Sequence, residues 1–296
     1  MRLRVWLIAL IVGVMMFASA SITAQDKDKK DKEPEKKPPP PPAFKIPDKN
    51  LEDAIRGVLF EPKGDLTEEK LQRVHILHAQ DKGIKDLAGL EKCKNLLEIR
   101  LTKNQITDVK PLKELASLQS LDLAKNQIKD VAALAGLTNL HYLELSGNRI
   151  ADIGALKGLS RLTTLNAGGN EIKDIGAVAA LQSLWSLRLE KNQIKDIGPI
   201  AKLRRLTTLE LTDNQIDSLA ALEGLTELHL LMVENNKIAD LKPLVAAAEK
   251  DAAGPKRFAP FLQLHLTGNP LSADARSAQL PALKKAGVRV HGADGK

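Results

Sequence analysis

The side chains able to do chemistry are few in kind and scattered along the chain. Histidines stand at 75 and 78, a spacing that two metal ligands could use. On the strand these residues are predicted to form, only His78 falls in an exposed column. No cysteine, aspartate or glutamate partner is evident beside the pair, so both are read as surface histidines and no metal is expected. A single cysteine, Cys93, cannot close an intramolecular disulfide, and it excludes zinc sites built on several cysteines. Aspartates recur at 86, 108, 130, 152, 174, 196 and 240, and such a ladder of carboxylates could draw calcium. Each precedes a predicted short helical turn, however, and serine, itself a capping residue, stands in the same column at 218. The column is therefore read as caps. Gly168-Gly169-Asn170 is no phosphate loop and Ser146-Gly147-Asn148 no nucleophile elbow, because both are pieces of a repeat. No nucleophile, base and electrophile can be assembled, so neither a catalytic residue nor a cofactor is expected, and the chain is read as no enzyme.

The elements that carry these residues are set by a repeat. Asparagines recur at 104, 126, 148, 170, 192, 214 and 236, always 22 residues apart. Around each, seven apolar offsets return (−8, −5, −3, +2, +5, +8 and +11). Of the 49 positions so defined, Leu, Ile or Val fills 47, the exceptions being Ala167 and Ala247. Alternation such as Leu121-Asp122-Leu123 fits a short strand with one buried face. The asparagine follows where the chain turns inward, and its amide can satisfy backbone groups that no regular ladder reaches. One unit cannot bury its leucines alone, whereas stacked units make a continuous core. Shifting back by 22 gives a degenerate first turn with Lys82 in place of asparagine and Cys93 in a leucine column, hence a buried thiol. After Asn236 the period breaks by eleven residues. An insertion is placed at 246–260, and Phe261, Leu264, Leu266, Asn269 and Leu271 resume the pattern.

The unit L-x-x-L-x-L-x-x-N-x-I resembles the leucine-rich repeat, specifically the 22-residue class of bacterial internalins. The resemblance covers about residues 48–291. It implies an α/β solenoid, a right-handed horseshoe of about nine turns over 74–271, with strands on the concave side. Helical caps are expected at each end, over 48–73 and 272–296. At the front, Asp48 is placed to cap a helix carrying Leu51, Ile55, Val58 and Leu59 on one face, and Thr67 a second short one. At the back, a helical segment interrupted at Pro281 is expected, followed by an edge strand at Val288-Arg289-Val290.

Ahead of the repeats, Arg2 and Arg4, an apolar stretch from Val5 to Phe17 and the small residues Ala18-Ser19-Ala20 read as an export signal over 1–24, with an uncleaved anchor as the alternative. Residues 25–47, rich in lysine, acid and proline, read as a disordered spacer. The formal charge is +7, but only +3 of it falls on residues 48–296, where signs alternate. That is a poor footprint for nucleic acid. No membrane insertion beyond the signal is expected.

Side chains two residues apart share a strand face, so offsets −6 and −4 should line the concave sheet. Leucines hold the core columns nearly constant, while these two vary in size and charge. The candidate protein-binding residues are Arg100, Asp122, Tyr142, Glu144, Asn166, Trp185, Arg188, Glu210 and Met232, with Tyr142 and Trp185 as aromatic anchors. The expected function is an exported, monomeric, non-enzymatic module that binds a still unidentified protein partner. Two alternatives stay open: an envelope glycan binder or scaffold, and a regulatory or inhibitory subunit of an exported enzyme. The location is periplasmic, cell-surface or secreted.

Overall fold

A computed structural model describes residues 44–292. The expected signal, and the expected spacer as far as residue 43, lie outside the described residues. Ten three-residue strands follow one another: β1 (Ile76–His78), β2 (Glu98–Arg100), β3 (Ser120–Asp122), β4 (Tyr142–Glu144), β5 (Thr164–Asn166), β6 (Ser186–Arg188), β7 (Thr208–Glu210), β8 (Leu230–Met232), β9 (Gln263–His265) and β10 (Arg289–His291). They form one all-parallel sheet in chain order, in unbroken register, so that Glu98, Ser120, Tyr142, Thr164 and Ser186 sit side by side. The middle residue of each strand from Leu77 to Leu264 points into the core and is fully buried, as period-two alternation requires. The return path of each turn between β1 and β8 carries a short 3₁₀ segment, such as Ala132–Gly136 or Gly198–Lys202. Burying one leucine side chain contributes about 1.5–3 kcal/mol, and a core this aliphatic repeats that term in every turn.

Two polar columns hold the returns. In the first, the Asp130 Oδ1 accepts the Ala132 N–H at 2.8 Å, and the other aspartates of the column do the same two residues on. Ser218 does it with its hydroxyl at 3.3 Å. These carboxylates cap turns, as expected. In the second, each asparagine is buried between two repeats. The Asn126 Oδ1 accepts the Ile106 N–H at 3.1 Å, while its Nδ2 donates to the Leu101 and Leu123 carbonyls at 3.0 and 2.9 Å. The residue before each asparagine is left-handed: Lys103, Lys125, Lys191, Asp213 and Asn235 have φ of 52–58°, and Gly147, Gly169 and Gly268 share the conformation. Turning the chain inward there is what brings the amide under the sheet.

At the front, α1 (Lys49–Leu59) is capped by Asp48. One oxygen of Asp48 accepts the Asn50 and Leu51 N–H groups; the other accepts those of Lys85 and Asp86, welding the cap to the first return. Burial opposes the charge of this carboxylate, yet the four N–H donors hold its pKa below the usual value. Leu51, Ile55 and Leu59 are buried, whereas Val58 is only half-buried. α2 (Glu68–Leu71) starts at Thr67. The boundary expected at residue 47 moves: the Phe44 N–H donates to the Leu66 carbonyl at 2.7 Å and Ile46 joins the core, so both belong to the folded cap.

At the back, the insertion turns out to be an extension of a return. α3 (Lys242–Ala252) replaces the 3₁₀ segment, so the irregular part begins only after residue 252. Its end is tied by Asp251, buried in place, which accepts the N–H groups of Arg257, Phe258 and Ala259 at 3.0 Å each. The register after the insertion also differs from expectation. Leu262, not Phe261, enters the core, and Phe261 stands 55% exposed while Phe258 takes a buried place. Pro281 does not stop the last helix. The helical run is continuous from residue 273 into α4 (Leu280–Lys285), and the turn just before Pro281, Ala275–Gln279, is π-wound, a local widening of the kind that interrupts an α-helix without ending it. The final strand forms, one residue later than expected, as β10.

Candidate functional site on the concave sheet

In-register stacking brings offsets −6 and −4 onto one open face. At its front end Glu98 Oε1 accepts from His78 Nε2 at 2.8 Å and from Arg100 Nε at 2.7 Å. The His78 hydrogen bond, with help from the charge of Arg100, holds the Glu98 carboxyl below its usual range. This corrects the expectation that His78 has no acidic partner. Glu98 lies one strand along, and the 22-residue shift applied to the −6 column would have found it. His75 faces elsewhere, its ring nitrogen at 3.2 Å from the Asn95 carbonyl.

In the middle the carboxylates are largely committed to the fold. Asp122 accepts the Ala124 N–H at 2.9 Å and the Thr102 hydroxyl at 2.6 Å. Glu144 accepts the Ser146 N–H and the Asn166 amide, both at 2.8 Å. Tyr142 is half-buried among them, less open than the sequence alone suggested. Burial, with the charges of Glu144 and Asp122, pushes its phenol above the usual value. Trp185, at the entry to β6, is 50% exposed. Arg188, three residues on, is exposed and only loosely paired, at 3.9 Å from Glu210.

Glu210 is pushed up, first by burial and then by the charges of Glu190 and Glu234, with Arg188 opposing. Glu190 was not among the sequence candidates. Its carboxylate lies over Gly168, in the space a side chain there would fill, so Glu190 would have to swing aside for any larger residue at that position. Three buried oxygens nearby, Asn166 Oδ1, Glu190 Oε2 and Thr212 Oγ1, have no hydrogen-bond partner. Offset −2 thus adds to the face, a column that the strand alternation alone did not single out. At the back end Leu230 and Met232 are half-buried, and His265 and His291 stack with ring centroids 4.6 Å apart.

Hollows such as the one lined by Asp196, Gly198, Asp217 and Ser218 lie between successive returns. Among the described residues no group of three or more His, Cys, Asp or Glu gathers as a metal site, and no helix is long and apolar enough to cross a membrane.

Family models described as "Leucine Rich repeats (2 copies)" match residues 116–158 and 182–224, and a single "Leucine Rich repeat" matches 92–109. Internalin C2 from Listeria monocytogenes is 33% identical over 75% of this chain and 94% of that one, with a TM-score of 0.68. The chain belongs to the internalin family of leucine-rich-repeat proteins. A leucine-rich-repeat protein of Leptospira interrogans shares the fold at 23% identity, covering 68% of this chain and 56% of that one, with a TM-score of 0.54. So does the ectodomain of a receptor kinase from Arabidopsis thaliana, crystallised with Casparian strip integrity factor 2. That ectodomain is 20% identical over 70% of this chain and 25% of its own, at a TM-score of 0.56. No curated protein matches the chain. Leucine-rich-repeat domains are protein-binding modules, and internalin-type members are typically non-catalytic.

Proposed function

We propose that this internalin-type chain is an exported binding module that grips a partner protein on the concave sheet between β2 and β8. The observation that carries the reading is a pair of exposed side chains at the two ends of one strand segment, Trp185 half exposed at the entry to β6 and Arg188 exposed at its last residue, over core columns that are nearly constant. A large aromatic and an arginine together are the residue types that dominate binding energy at protein interfaces. Around them Asp122, Glu144, Glu190, Glu210 and Glu234 give the face an acidic floor in a chain of net charge +7, so the fitting partner presents a basic surface. The export signal read over 1–24, together with kinship to internalins, supports a location outside the cytoplasm. A glycan ligand is less well supplied. It would want several open aromatic faces, and Tyr142 is half-buried against Glu144 and Asn166.

The test is affinity capture from cell-envelope and culture fractions, with the chain and its Trp185→Ala/Arg188→Ala variant as baits. A protein held by the first, lost from the still-folded second and released by salt supports the reading. Capture that survives the double change moves the site off the concave sheet, and retention of polysaccharide without protein favours the glycan alternative.

A further inference from the structure

Met232, His265 and His291 occupy the same column on three consecutive strands. Met232 pairs in register with His265, and His265 with His291. In a parallel sheet, side chains at one register position leave the same face about 4.8 Å apart. The two imidazoles already stack at 4.6 Å and 20° between planes. Metal–imidazole bonds of about 2 Å allow two ring nitrogens to share one ion when they stand up to about 4 Å apart, which a small rotation of each ring supplies. Met232 is one strand away from His265, and its unbranched, freely rotating side chain can swing the thioether sulfur over that ring. The chain has four methionines, and three of them are in the first 16 residues. The one methionine beyond residue 16 therefore stands in line with two of the six histidines.

We propose that Met232, His265 and His291 bind one copper(I) ion at the C-terminal end of the concave sheet. Thioether sulfur with imidazole nitrogen is a donor set that soft, singly charged copper takes and hard cations do not. The surroundings point the same way. Arg289 lies two residues before His291 on the same strand face and opposes a doubly charged ion more than a singly charged one. Half-burial of Met232 and His265 shelters the site from water, while the exposed His291 leaves it open to the ion. The partner-binding reading does not depend on this site.

The test uses the full chain under ascorbate in the absence of oxygen, with copper(I) supplied as its coloured bicinchoninate complex. One equivalent of copper should pass from the chelator to the chain. His265→Ala and His291→Ala should each weaken that competition by about tenfold or more, and the volume-conserving Met232→Leu should weaken it measurably while keeping the fold. His75→Ala/His78→Ala should leave it unchanged. X-ray absorption of the loaded chain should show sulfur and nitrogen neighbours. No transfer from the chelator, or equal uptake by a His265→Ala/His291→Ala chain, overturns the site. An unaltered affinity in Met232→Leu, or zinc(II) bound as tightly as copper(I), overturns the assignment of a thioether copper site.

Discussion

Replacing Asn170 by alanine tests the physical account of the asparagine column. Asn170 Oδ1 accepts the Ile150 N–H at 3.0 Å, and its Nδ2 donates to the Leu145 and Ala167 carbonyls, both at 3.0 Å. Those two carbonyls are shared. Leu145 also receives the amide of Asn148, and Ala167 that of Asn192. After Asn170→Ala each carbonyl keeps one partner, and only the buried Ile150 N–H is left with none. An orphaned buried donor costs about 1–3 kcal/mol and each lost but compensated bond about 0.5–1 kcal/mol, so about 3 kcal/mol should go. Asn104→Ala should cost more. Lys82 stands where a preceding asparagine would be, so the Ala79 carbonyl and the Lys82 and Ile84 N–H groups all depend on Asn104. Urea unfolding with an unchanged slope measures the loss, and hydrogen exchange at Ile150 reports whether it is local. A loss below about 1 kcal/mol, or the reverse ranking of the two variants, would refute the shared-carbonyl argument.

Three further outcomes follow from the same structure. Lys191→Gly should stabilise by up to about 1 kcal/mol and Lys191→Val should destabilise, since φ is 54° there and a β-branched side chain resists that conformation; thermal melts of the pair decide it. Cys93 is buried, and burial with the charge of Glu91 pushes its thiol up to about 12, so maleimide should label it only at the rate of unfolding; rapid labelling of the native chain would contradict the packing. Asp251 is held below its ordinary value of 3.8 by the Ala259, Arg257 and Phe258 N–H groups although burial opposes this, so its contribution is complete above that value and is lost as pH falls through the lower folded one. Acid should therefore loosen the loop after α3, and Asp251→Asn should flatten that part of the pH dependence, as followed by hydrogen exchange at Phe258.

Period and composition made most of the fold legible, because a 22-residue spacing held six times leaves few ways to bury so many leucines. What stayed hidden depended on single non-periodic contacts. Nothing in the repeat says that Asp251 will gather three N–H groups, or that Leu262 rather than Phe261 will turn inward once eleven residues are inserted. The left-handed column was hidden for a different reason: lysine occupies it at 103, 125 and 191, where a reader looks for glycine. In the candidate site the columns were readable, but exposure was not. Tyr142 and Trp185 look alike as aromatics, and only packing against Glu144 and Asn166 separates the half-buried ring from the open one.

The same division explains how one scaffold can carry recognition at little cost to stability. Every buried leucine and asparagine of the stack answers to its neighbouring repeats, so none can change alone without leaving a void or an orphaned polar group. The concave positions answer to solvent on one side. Trp185 contributes its backbone carbonyl to the Thr207 hydroxyl and the Thr207 and Thr208 N–H groups, while its side chain is half free. Alanine at 185 or 188 should therefore leave the urea midpoint nearly unchanged, within about 0.5 kcal/mol, while removing the strongest anchors of the face. If either change instead unfolds the chain, these side chains are structural, and the partner must be sought on a surface that the stack does not need.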